Sequence, residues 1–207
     1  MLNEIPQDIQ LKESNLLFLD ISSSCTGYSI FQVNFETKKA VLRSCGAIWL
    51  PDVSHQKKYA YLYNAITVYF NIIEKVDFIV AESYAINKDR MMGVMVTPEA
   101  HGACKAAAEE CGMSFITFTP QSWRKELGVK KTITGDYKQP CKEKVLEYVQ
   151  IPEKLVSNIT HNERQTPSDI YDAIGLGIGF LKRLINPVFI CSGTKIQGHV
   201  GVLDVET

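Results

Sequence analysis

Two short segments, Leu16–Asp20 (LLFLD) and Asp77–Glu82 (DFIVAE), each hold four consecutive apolar residues and end in a carboxylate. A strand with one wet face alternates apolar and polar residues, whereas an unbroken apolar run of this length fits a strand covered on both faces. Such strands require helices on either side, so the chain is constrained to an α/β sheet with helical cover and an acid where each buried strand emerges.

The remaining segments fill in that frame. Gly27–Val33 and Ala40–Leu50 have strand composition and, with Leu16–Asp20, make an opening meander that ends at Pro51. Lys57–Glu74 carries apolar residues at helical spacing (Tyr59, Leu62, Tyr63, Ile66, Phe70, Ile73). Pro98–Cys111 reads as a helix with Thr97 as cap and Gly112 as stop, Met113–Phe118 as a strand, and Pro120 opens a short helix ended by Gly128. A basic loop, Val129–Gln139, leads to a helix over Pro140–Val149, and the strongest helical signal runs from Thr166 to Leu184, with Lys182 and Arg183 in its last turn. The predicted fold is α/β: a mixed five-stranded sheet flanked by helices. Residues 1–15 read as a polar leader, 16–186 as one domain and 187–207 as an extension, with a terminal hairpin hinted at Ile196, Val200 and Val202.

The net charge of the 207 residues is −1, so any affinity for a polyanion has to be local. Six cysteines occur without a C-x-x-C pair, and the four histidines (His55, His101, His161, His199) show no metal-ligand spacing, so zinc sites and disulfide frameworks are not indicated. Reduced thiols in a cytoplasm are the simplest reading. No apolar run approaches the roughly 18–20 residues that span a bilayer, and the first residues do not read as a secretion signal.

Chemistry points to four acids. Asp20 and Glu82 close strands, while Asp169 and Asp172, three apart, share one face at the start of the last helix. Clustered carboxylates repel one another and are hard oxygen ligands, which together ask for a divalent cation such as Mg²⁺ or Mn²⁺. Asp169 has a second reading, because Thr166-Pro-Ser-Asp169 has the spacing of a capping box. Gly175, Gly177 and Gly179 fall inside a helix and read as close packing on the sheet, not as a phosphate loop, and Trp49 and Trp123 read as core.

The ordered set LFLDISSSCTGYSI, FIVAESYA and PSDIYDAIGLGIG resembles the signature of the RuvC-like Holliday junction resolvases of the RNase H-like superfamily, and extends over about Leu16–Leu184. The resemblance implies an RNase H-like fold, a homodimer and paired nicks across a four-way DNA junction, with a bacteriophage member as one variant. It implies that Asp20 bridges two Mg²⁺ ions (Mn²⁺ substituting), that Glu82 holds one and Asp172 the other, and that Asp169 completes the set or orients the attacking water. Such ions, roughly 4 Å apart, clamp a phosphate for in-line attack by water. Three residues past the glutamate, where the family often carries an aromatic wedge, this chain has Ala85, with Tyr84 beside it.

Candidate DNA contacts come from local charge. Between Arg124 and Lys144 seven basic residues face three acidic ones, and Lys130, Lys131, Lys138 and Lys142 form a strip suited to phosphates. Tyr84, Lys88 and Arg90, in and before the NKDRMM segment, are a second set. Three rival functions stand beside the resolvase: a flap or fork endonuclease of the same fold, a non-catalytic junction-binding module, and an actin-like phosphotransferase suggested by DISSSCTG. The last would need a second phosphate loop that the sequence lacks.

Overall fold

The computed structural model describes residues 13–22, 24–50, 54–84, 96–151 and 168–190. Strands β1 (Glu13–Asp20), β2 (Cys25–Asn34) and β3 (Lys39–Trp49) form the antiparallel meander expected from the sequence. Helix α1 (His55–Asn64) then runs into a π-helical stretch, Ala65–Ile73, before β4 (Phe78–Glu82). Helix α2 (Val96–Glu110), β5 (Ser114–Phe118), α3 (Pro120–Leu127), α4 (Lys138–Tyr148), α5 (Ser168–Leu184) and β6 (Val188–Ile190) complete the described chain. The sheet order is β5-β4-β1-β2-β3-β6, with β1 parallel to β4, β4 to β5 and β3 to β6.

The sheet has six strands, not the five expected. Pro187 has no N–H to give a ladder and so reads as a stop, but the next residue resumes pairing, Val188 N–H donating to the Lys38 carbonyl at 2.8 Å. Two helix starts also moved, and one helix changed its bonding pattern. Helix α2 begins at Val96, so Thr97 lies inside it instead of capping it, and α4 begins two residues ahead of Pro140. Both prolines sit in a first turn, where their missing N–H groups have no intrahelical partner to lose. The single amphipathic helix expected over Lys57–Glu74 changes to i→i+5 bonding, as in Glu74 N–H to the Tyr69 carbonyl at 3.0 Å, which keeps Ala65, Ile66, Tyr69 and Phe70 all buried. The hairpin expected at Ile196–Val202 falls outside the described residues.

Alternation along the buried strands divides the core in two. Leu17, Leu19, Ile79 and Ala81 pack against α1, its π-helical continuation and α2, whereas Leu16, Phe18, Phe78 and Val80 pack against α3, α4 and α5. Each large side chain so buried contributes roughly 2 kcal/mol. Helix α5 approaches closely because of its glycines. A Cβ on Gly177 would lie 2.6 Å from the Phe31 ring of the sheet, as expected, but Gly175 and Gly179 instead face α3, with Cβ positions 2.9 Å from the Trp123 ring and 2.6 Å from its carbonyl.

Candidate metal centre

The same alternation aims the acids. Leu16 and Phe18 face α5, so Asp20, the next even position, emerges on that side at the end of β1; Phe78 and Val80 do the same for Glu82. The parallel register pairs Leu19 with Ala81, and one step further sets Asp20 beside Glu82. Asp169 and Asp172 arrive from the first turns of α5, brought down by Gly27 of β2: a Cβ there would lie 2.0 Å from the Asp169 carbonyl oxygen.

Asp20, Asp169 and Asp172 each offer one carboxylate oxygen, and these oxygens all lie within 4.8 Å of one another. Glu82 stands beside this trio with its carboxylate already engaged. The Trp123 indole N–H donates to Oε2 at 2.6 Å, and Arg124 Nη2 is 3.8 Å from the same oxygen. The Arg124 guanidinium is itself stacked on the Trp123 and Tyr137 rings, 4.8 and 4.7 Å from their centroids.

Burial pushes the Asp20 carboxyl well above the usual carboxylate range, with Glu82, Asp172 and Asp169 adding repulsion and Arg124 opposing them. Glu82 and Asp172 are raised by burial too, the first relieved by Arg124 and the Trp123 N–H, the second by the Cys141 thiol and Arg124. Burial and the nearby carboxylates push the Cys25 and Cys141 thiols up, so both stay protonated and are not ligands; the Cys141 thiol donates to the Tyr171 carbonyl at 3.6 Å. Among the described residues one guanidinium faces four carboxylates, which leaves the pocket short of positive charge, and an all-oxygen donor set suits a hard divalent cation.

The sequence-predicted acids therefore meet in space, three as a tight trio and Glu82 alongside. Asp169 Oδ1 accepts from the Ser168 hydroxyl at 3.2 Å; Thr166, the cap partner in its other reading, is outside the described residues. Trp123 is fully buried as expected, but its reading as plain core missed the bond to Glu82. A buried indole N–H needs an acceptor, and that was the available signal. Arg124, counted only within the basic strip, belongs to the site. Lys130, Lys131 and Lys138 are exposed and Lys142 half-buried, with Lys131 against Tyr137, Lys138 bonded to Ser168 at 3.1 Å and Lys142 against Tyr171. Tyr84 is exposed; Lys88 and Arg90 lie outside the described residues. The five described cysteines are free thiols, and no helix among the described residues is long and apolar enough to cross a membrane.

No family model matches the sequence, and no curated protein does. Solved structures do resemble it. Thermus thermophilus RuvC in complex with a Holliday junction substrate superposes with a TM-score of 0.57 at 13% identity, over 84% of this chain and 98% of that one. The fowlpox virus resolvase with its Holliday junction DNA gives 0.58 at 14%, over 83% and 99%. The yeast mitochondrial Holliday junction resolvase gives 0.57 at 15%, over 85% and 81%. The chain thus shares the RNase H-like fold of these proteins, with the mixed sheet and helical layers described above.

Proposed function

We propose that this chain is a metal-dependent endonuclease that resolves four-way DNA junctions by paired nicks, acting as a homodimer in the cytoplasm of a bacterium or a phage-infected host cell. The observation that carries the reading is the carboxylate trio, with oxygens within 4.8 Å, where the end of β1 meets the start of α5 in a fold like that of the resolvases.

Asp20, Asp169 and Asp172, with Glu82 beside them, would hold two Mg²⁺ ions or Mn²⁺ in their place. When bound, the metal supplies Lewis acidity at the scissile phosphate and lowers the pKa of the attacking water. The chain's own residues do the rest. Trp123 fixes the orientation of the Glu82 carboxylate, and a preorganised ligand needs no rearrangement at the moment of reaction. Arg124, immobilised between two rings, supplies a fixed positive charge next to Glu82 for the phosphate. Lys130, Lys131, Lys138 and Lys142 grip the backbone and set its register without reading sequence.

The test is cleavage of an end-labelled four-way junction beside a linear duplex, a flap and a fork, in Mg²⁺ or EDTA, with Asp20→Asn as control. Symmetric nicks in Mg²⁺, absent in EDTA and in the variant, are expected. Preferential cutting of flaps or forks would move the activity to general branched-DNA processing, and binding without cutting in Mg²⁺ or Mn²⁺ would overturn the nuclease reading.

A further inference from the structure

Where α2 meets the edge strand β5 there is a cleft of about 540 Å³, lined by Tyr84, His101, Lys105, Phe115 and Thr117. It lies within the size range of small-molecule sites. His101 is only 6% exposed, yet neither Nδ1 nor Nε2 has a hydrogen-bond partner among the described residues. Burial pushes its pKa down to about 4, so at neutral pH the ring is uncharged and offers one donor and one acceptor. Two aromatic rings flank it, Tyr84 at 5.1 Å and Phe115 at 6.3 Å between centroids. Tyr84 is 43% exposed, and in front of Gly102 a Cβ would meet nothing within 4 Å. Lys105 stands at the rim, its ammonium 3.8 Å from Glu109 in an exposed pair.

This chemistry selects its ligand. A neutral donor and acceptor between aromatic rings does not suit an anion or a metal ion; it suits a planar heterocycle whose edge both donates and accepts. Position narrows the choice further. Tyr84 follows Glu82 by two residues, so their Cα atoms are at most about 7 Å apart, the length of one or two nucleotide steps. The Ser83 N–H donates to the Phe118 carbonyl at 3.0 Å, fixing this segment to β5. The cleft opens beside α2, however, while the carboxylates face α5, so a base reaching it has to leave the stack.

We propose that the cleft receives an unpaired nucleobase of the DNA substrate, stacked on Tyr84 and hydrogen-bonded to His101, within a few nucleotides of the cut; this rests on the nuclease reading above. Neighbouring base pairs at a branch point are the ones most easily opened, so the pocket favours branched over linear DNA.

The experiment couples protein and DNA changes. Full-length wild type, Tyr84→Ala and Gly102→Leu are titrated onto labelled branched DNA in Ca²⁺, with the DNA intact or carrying one abasic site at each position within three nucleotides of the mapped cut. Leucine at 102 enters open space on a helix, so it fills the cleft while keeping the fold. Each variant is expected to bind intact DNA about tenfold more weakly, a typical loss for one stacked base, and this penalty should fall below about twofold at one abasic position. Equal penalties on every DNA, or no penalty at all, would overturn the pocket while leaving the nuclease reading intact if wild type binds and cuts. Failure of wild type to bind any branched DNA would overturn both.

Discussion

Asp20 sits where its own charge is disfavoured, and that has a measurable sign. Its folded pKa is raised above the value near 3.9 of an unfolded aspartate, so between those two values the folded chain holds the proton that the unfolded chain has released. Stability is therefore lost as pH rises through that window when no metal is bound. Asp20→Asn removes the penalty. In EDTA at neutral pH the variant should be more stable than wild type by about 1–2 kcal/mol, the ordinary gain when a strained functional charge is deleted. The difference should vanish as pH falls below about 4, where the wild-type carboxyl is protonated in both states. Added Mg²⁺ should raise the thermal midpoint of wild type and leave the variant unmoved, because only the intact trio gains a ligand. Thermal scans at several pH values read all of this, and a variant less stable than wild type at neutral pH in EDTA would refute the electrostatic account.

Packing between elements decides whether the acids meet at all, and Gly27 is where this is most exposed. It pairs with Asp20 across β1 and β2, and it also lies directly beneath the first turn of α5, which brings Asp169 and Asp172. Gly27→Ala puts a methyl group 2.0 Å from the Asp169 carbonyl oxygen, which rigid backbone cannot absorb, so α5 has to shift. The expected cost is about 2–3 kcal/mol of stability, together with a loss of cleavage of roughly a hundredfold from misplacing ligands by about 1 Å. Unfolding midpoints and Mg²⁺-dependent cleavage, measured side by side, check it; full activity in a folded variant would mean that α5 does not need this contact. The role of Gly27 could not be read from the sequence, because its partner lies more than a hundred residues away. The strand ends were legible because unbroken apolar runs closed by acids leave few alternatives, and the α5 face was legible because two acids three apart must share it. What joins them was not. The Trp123 bond to Glu82 depends on Gly175 and Gly179 letting α3 settle onto α5, and β6 was hidden behind Pro187 because a three-residue edge strand has too little pattern to announce itself.

On the scale of the whole molecule, a chain with a net charge of −1 and a concentrated acidic site can act on DNA, as proposed above, only if one region supplies a local positive surface. The stretch after α3 is built to hold charge in place. Its turn is closed by Thr132 N–H to the Asp136 carbonyl at 2.9 Å and by Gly135 at φ 84°, leaving Lys130 and Lys131 exposed, with Lys131 resting on the same Tyr137 ring that stacks on Arg124. Tyr137 thus links the exposed Lys131 to the Arg124 guanidinium beside Glu82, giving a path of positive charge from surface to site. If that path carries the DNA backbone, Lys130→Gln with Lys131→Gln should remove about two phosphate contacts. The slope of log affinity against log salt would then become shallower by roughly 1.8, with affinity at about 0.1 M salt down by tenfold or more. Folding stability should change by less than about 0.5 kcal/mol, because both side chains are exposed. The loss should be equal for junction and linear DNA, since phosphate contacts carry no shape preference beyond the backbone's own path. An unchanged salt slope would place the DNA on another face, and a loss confined to junctions would mean that these lysines read branch geometry and not charge alone.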